Sequence, residues 1–173
     1  VDIFFDAICV HGERALADDI WRYAFAQGHA ARDFQALLTE SARKPASPYN
    51  LLGQLRTDPD GRIDLKKFGL MPMFTSARVL AIRHDIETRS TPARLKGLVE
   101  RGVASADVID PIIEAQARIL ALMLAQQLAD TEAGVPLSPR VVAASLTKTQ
   151  RAELKSALGQ VDEVIGLVSE GRL

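Results

Sequence analysis

The chain has 173 residues, enough for one compact domain that buries its own hydrophobic core without help from a disulfide or a structural metal. Lys and Arg number 21 against 22 Asp and Glu, so the net charge is -1, which excludes a strongly basic nucleic-acid binder and an acidic tail. Apolar residues at 47% and charged residues at 25% are globular values, and no uncharged run approaches the ~18 residues of a membrane span, so the composition is that of a soluble protein. Cys9 is the only cysteine. No intrachain disulfide or multi-cysteine zinc site can form, which fits a reducing cytoplasm.

The opening run Val1-Asp2-Ile3-Phe4-Phe5-Asp6 is short, apolar and aromatic, and reads as a strand. A strand needs neighbours, and nothing soon after it resembles one, so residues 1–10 are expected to be the remnant of a sheet lying upstream in a longer protein. From Gly12 to about Gly28 the pattern turns helical, with Leu16, Ile20, Tyr23 or Ala24, and Gln27 three to four apart. A second helix is expected from about Ala30 to Ala42, burying Phe34, Leu37 and Leu38 and ending at Pro45 and Pro48. Between Leu52 and Leu65 the pair Asp60-Gly61 supplies a positive-φ turn, which predicts a small hairpin.

Beyond Leu70 the chain reads as helices: Leu70 to His84, then Pro92 to Arg101 with Thr91 as N-cap, then Ser105 to Ala133. The third would be about 40 Å long at ~1.5 Å per residue, a length typical of an antiparallel bundle. Its apolar set, which includes Ile109, Ile112, Ile119, Leu120, Leu124 and Leu128, is wide enough to face two neighbours. Pro111 either follows a cap at Asp110 or kinks that helix near its start. The last helix opens on the capping box Thr147 to Gln150 and carries Leu154, Leu158, Val161, Ile165 and Val168 as one stripe. The fold class expected is mainly α: an antiparallel helical bundle with a short N-terminal strand and a small β-hairpin, the helical domain running over residues 11–173.

Three segments carry candidate chemistry. Asp58-Pro59-Asp60-Gly61-Arg62-Ile63-Asp64 has the centre of a calcium loop, but that register puts Arg56 and Lys67 where carboxylate ligands belong, so it reads as a turn. In Asp64-Leu65-Lys66-Lys67-Phe68-Gly69-Leu70 two lysines arrive where the chain leaves a strand for a helix, so cations and backbone N–H groups could converge on a phosphate; alternatively the lysines are solvated and Gly69 only allows a turn. The helix from Leu70 to His84 is apolar on most sides, and a buried Arg78 there needs a carboxylate or a ligand, with Asp64 and Glu114 as candidate partners. His84 reads as a cap to the last carbonyls, and His11, His29 and His84 assemble no metal or catalytic constellation.

Ile3-Phe4-Phe5-Asp6, Val10-His11-Gly12-Glu13-Arg14-Ala15-Leu16, Ile63-Asp64-Leu65-Lys66-Lys67-Phe68-Gly69-Leu70-Met71-Pro72 and Ala77-Arg78-Val79-Leu80-Ala81-Ile82-Arg83-His84 together resemble the C-terminal part of bacterial proteins classed as nucleotidyltransferases. These are similar to the uridylyltransferase of nitrogen signalling, and many carry cyclic-nucleotide-binding-like and CBS modules upstream. The resemblance runs from about Asp2 to Leu173. In the long helix, Leu124-Ala125-Gln126-Gln127 lacks the basic residue the family places beside its glutamine.

The resemblance implies a two-part enzyme. A Gly-Ser element and an Asp-x-Asp pair hold metal ions, with magnesium expected for the intact enzyme and a third carboxylate on a later strand. This chain has no such arrangement; Asp6 would correspond to the third carboxylate, and no cofactor is expected on the chain itself. It would then be the substrate-binding lobe, catalytically inactive alone, forming one wall of a cleft with Asp6, Asp64, Lys66, Lys67, Arg78 and Arg83 toward the nucleotide or acceptor. Its partner would be an upstream nucleotidyltransferase domain, with no role for membrane or nucleic acid. The alternative is a helical interaction or dimerisation module of a signalling protein, pairing with a partner or with a second copy of itself, in which these polar residues are structural.

Overall fold

The computed structural model describes residues 2–42, 47–50 and 53–170. Val1, Pro45 and Leu52, which enter the expected strand, helix end and hairpin, lie outside the described residues. The described residues contain six α-helices and one small antiparallel strand pair: α1 (Arg14–Ala30), α2 (Arg32–Ala42), β1 (Arg62–Asp64), α3 (Met71–Arg83), α4 (Thr91–Glu100), α5 (Ala106–Glu132), β2 (Arg140–Val142) and α6 (Lys148–Glu170). The expectation of a mainly helical fold holds. Two compact units share these elements, one formed by Val1–Lys44, Phe74–Ile109 and Ile165–Leu173, the other by Pro45–Met73 and Asp110–Val164.

In the first unit the opening segment is not a strand. Asp2–Asp6 forms a 3₁₀ turn, closed by the Ala7 amide donating to the Phe4 carbonyl at 3.0 Å. The reason is where its groups find partners. The Phe5 ring packs among Trp21, Phe25 and Ile82, and the Phe5 carbonyl accepts from Trp21 Nε1 (3.1 Å) and Arg94 Nη2 (2.8 Å), so side chains supply what sheet neighbours would have given. Trp21 stacks on Phe25 with ring centroids 5.1 Å apart, and Arg89 lies over the indole at 4.2 Å while pairing with Asp18 at 2.8 Å.

The buried face of α1 is Trp21, Phe25 and Gly28, leaving Leu16, Ile20 and Tyr23 exposed. On α2 the buried positions are Thr39 and Ala42, with Phe34 and Leu38 packed against the aromatic cluster; Leu37, expected inside, is 67% exposed. α4 begins one residue earlier than expected: Ser90, not Thr91, is the cap, its hydroxyl accepting from the Ala93 amide at 3.3 Å. Thr91, Arg94, Leu95 and Leu98, at i, i+3, i+4 and i+7, are buried along one face, and Gly97 is buried beside them. From Ser76 to Ile82, α3 is buried on every side, as its composition predicts.

In the second unit the Asp60-Gly61 turn forms, with Gly61 at φ +75° and its amide bonded to the Asp58 carbonyl at 2.9 Å. The strand that follows bonds back to the preceding segment at the Asp58 amide, which donates to the Arg62 carbonyl at 2.8 Å, but its ladder forms elsewhere. β1 pairs antiparallel with β2, with Arg62 opposite Val142 and Asp64 opposite Arg140. Burial selects this partner: Ile63 and Val141 face each other across the pair and both are buried. Arg62 then forks onto Asp130 of α5 with two 2.8 Å bonds, and Gln126, one turn earlier, donates to Asp130 and accepts from the Val142 amide. The Arg62 hydrogen bond holds the Asp130 carboxyl below its usual range.

Pro111 is accommodated inside α5, which runs unbroken from Ala106 to Glu132. Ile112, Ala115 and Ile119 are buried, whereas Leu120, Leu124 and Leu128 are exposed, so only one of the two expected faces is covered. The capping box of α6 is reciprocal, Gln150 N to Thr147 Oγ1 at 3.1 Å and Thr147 N to Gln150 Oε1 at 3.0 Å. The stripe that α6 buries in this unit is Leu154, Leu158, Val161 and Val164.

Candidate functional site

The six residues singled out from the sequence fall into two groups. Asp6, Arg78 and Arg83 belong to the first unit; Asp64, Lys66 and Lys67 belong to the second.

Asp6 ends the 3₁₀ turn between two arginines. Its Oδ1 accepts from Arg94 Nη1 at 2.6 Å, and its Oδ2 pairs with Arg78 Nη2. Arg94, which the sequence did not suggest, is the centre of this arrangement: its side chain is 2% exposed, and its Nε and Nη2 donate to the carbonyls of Thr88 and Phe5. The missed signal is its place on the apolar face of α4, where an arginine must find a buried acceptor. Burial pulls the Arg94 guanidinium down and Asp6 offsets that pull. For Asp6 itself burial pushes the carboxyl up, but the hydrogen bonds and charges of Arg78 and Arg94 together outweigh it and hold it low. The carboxylate found for Arg78 is thus Asp6, which was not among its expected partners.

Arg83 donates to the Val168 carbonyl (3.1 Å) and to Thr39 Oγ1 (2.8 Å), tying α2 and the end of α6 to α3. His29 Nδ1 donates to the Ile82 carbonyl at 2.8 Å. Burial first, then the charges of Arg83, Arg101 and His29, keep His84 below its ordinary value and therefore neutral near pH 7.

In the second unit, Lys66–Leu70 is a five-residue π-helical turn leading into α3. Such turns are uncommon and are found disproportionately at functional sites. Three features fix this one. Asp64 Oδ1 accepts from the Lys67 amide at 2.8 Å; Phe68, Gly69 and Leu70 are buried; and a β-carbon at Gly69 would lie 2.9 Å from Ile119 Cδ1. Asp64 therefore takes an amide that a phosphate could have used, and acts on the backbone. Lys66 and Lys67 are exposed on the outer side of the turn, with the Lys67 ammonium 5.5 Å from the centre of the Phe68 ring. Among the described residues neither lysine has a carboxylate partner.

The acidic loop is spoken for as well. Arg140 Nη1 lies 3.2 Å from Asp58 and 3.1 Å from Asp60, so a cation already sits where the calcium-loop reading would have placed metal. Among the described residues no group of three or more His, Cys, Asp and Glu could hold a metal ion. A magnesium-bearing centre of the kind the family resemblance implies does not fit these side chains.

A family model described as "Putative nucleotidyltransferase substrate binding domain" matches residues 32–170. No curated protein and no solved structure matches the chain.

Proposed function

This chain belongs to the nucleotidyltransferase substrate binding domain family, and from that membership we propose that it is the substrate-holding part of a nucleotidyltransferase, inactive alone, with catalysis in a second domain of the same protein. Phosphoryl transfer of this kind needs carboxylates that hold magnesium against the nucleotide phosphates, and the proposed source of those carboxylates is the partner domain. The whole would work in the cytoplasm, where the single thiol of Cys9 stays reduced.

The observation that carries this reading is the pair Lys66 and Lys67. Two exposed lysines leave a turn whose backbone is held by Asp64, Gly69 and the buried Phe68, so their points of attachment are fixed while the ammonium groups are free to reach an anion. That suits a nucleotide's phosphate chain, with Asp64 as a positioning residue. In the intact protein, Lys66→Ala and Lys67→Ala are each expected to raise the nucleotide KM about 10-fold, the value of one charge-assisted contact, with kcat within about 2-fold. Unchanged KM in both variants would remove this site.

A second reading, an interaction module, is favoured by an apolar groove of about 340 Å³ in the first unit, walled by Phe4, Tyr23, Ala31 and Phe34. Sedimentation that finds one species at all concentrations, unaltered by Tyr23→Ser, would dismiss a homodimer through this groove.

A further inference from the structure

We propose that the groove between α5 and α6 in the second unit binds a small organic cation that carries hydroxyl groups. The floor is made by Ala115 on α5 and Ala157 on α6, both buried. Larger side chains would close the gap, and two alanines leave a cavity of about 240 Å³. That lies below the ~300–1,000 Å³ that accommodates drug-sized ligands, so a whole nucleotide is too large and a single sugar or amino alcohol is not.

The rim sets the chemistry. Arg118 and Glu153 face each other across the groove at 2.8 Å and neutralise one another. Glu114, one helical turn before Arg118, is left as the charge on the rim with no ion pair or hydrogen bond among the described residues. The groove therefore carries a net charge of -1, which repels phosphate and attracts an ammonium or guanidinium group. Ser156 and Gln160 lie on the same face of α6, four residues apart, and neither makes a side-chain hydrogen bond among the described residues. Between them they offer a hydroxyl, an amide N–H donor and an amide oxygen, the set that reads ligand hydroxyls. An apolar floor under a rim that binds a cation on one helix and hydroxyls on the other matches an amino sugar in size and in polarity.

This inference rests on the reading that the domain receives the acceptor, because an acceptor of nucleotidyl transfer brings a hydroxyl nucleophile and must bind apart from the nucleotide. The Lys66 and Lys67 turn would take the anionic substrate and this groove the cationic one.

The test is calorimetric titration of the chain with glucosamine, glucose and glucuronate at pH 6.5 and low salt. Glucosamine is expected to bind at least 10-fold more tightly than glucose, and glucuronate to show no heat. Glu114→Gln should cost glucosamine at least 10-fold and bring its affinity down to that of glucose. Ala157→Leu fills the floor and should abolish binding of both; should that variant not fold, Ser156→Ala, at an exposed position, is expected to weaken both sugars about equally. Glucosamine that does not bind, or binds no better than glucose, or is unaffected by Glu114→Gln, overturns the proposal. Failure here leaves the nucleotide KM of the lysine variants to be read independently, so the two readings fall separately.

Discussion

Replacing Asp6 by Ala removes the carboxylate that two arginines share. Arg94 is 2% exposed and lies 2.6 Å from Asp6, and Arg78 is 7% exposed on the other oxygen. Removing one partner of a fully buried pair costs about 3–5 kcal/mol, because the remaining charge is left without compensation. Two facts lower that figure. The Asp6 side chain is itself 35% exposed, so water can follow it out, and Arg94 keeps its bonds to the Thr88 and Phe5 carbonyls. The expected loss is about 2–3 kcal/mol, or roughly 4–12 °C in Tm at ~2–4 °C per kcal/mol. Trp21 is the only tryptophan and donates to the Phe5 carbonyl beside Asp6, so its fluorescence in a urea titration at pH 7 reports on the unit concerned. In an Arg94→Met background the same change should cost at least about 1 kcal/mol less, the signature of two groups that act on each other. An Asp6→Ala chain within about 0.5 kcal/mol of wild type, or additive losses in the double variant, would refute the view that Asp6 anchors the opening turn.

Three other outcomes follow from the same contacts. A β-carbon at Gly97 would lie 2.5 Å from Ile86 Cγ2, so Gly97→Ala is expected to lose about 1–2 kcal/mol, the overpacking cost less the ~1 kcal/mol gained in helix propensity, and an Ile86→Ala background should erase the loss. Thr147→Ala removes one half of the α6 capping box and should cost about 1 kcal/mol in chemical denaturation. Stability should be level from about pH 7 to about pH 9, short of the range in which the unfolded chain ionises Tyr49 before the folded one. Below about 6.5 the unfolded chain takes up a proton that folded His84 resists, so stability declines; below about 3.8 the unfolded Asp6 is protonated before the folded one, and the decline steepens. His84→Gln should remove the first decline in a pH series of Tm values and leave the second; an unchanged first decline would show that another group causes it.

What could be read from the sequence was whatever local rules decide. Helix periodicity, the Thr147 capping box, the turn at Asp60-Gly61 and the all-round burial of α3 depend on residues a few positions apart, and the structure contains each of them. Apart from the α4 cap, which lies one residue from where it was expected, the errors arose where distant residues compete for the same groups. β1 meets its partner more than seventy residues later because Ile63 needs Val141 over it and Arg62 needs Asp130, and no turn signal announces that pairing. Phe5 looked like a strand residue until Trp21 and Arg94 took its carbonyl. For the candidate site, Lys66 and Lys67 stood out as a motif and are exposed, but the π turn that presents them depends on a close approach of Ile119 to Gly69 that spacing cannot show. Arg94 was legible in principle, since Thr91, Arg94, Leu95 and Leu98 form one face of α4.

The central proposal, that the π turn presents phosphate-binding charge, is tested most directly by calorimetric titration of ATP and UTP, without added metal, into the wild-type chain and into the Lys66→Ala, Lys67→Ala double variant. Because both side chains are exposed, the double variant should unfold at the wild-type temperature. The expected result is binding by the wild-type chain that weakens at least 10-fold in the variant and also weakens with added salt. Equal affinity in the two chains, or no heat with either nucleotide in the wild type, would contradict it.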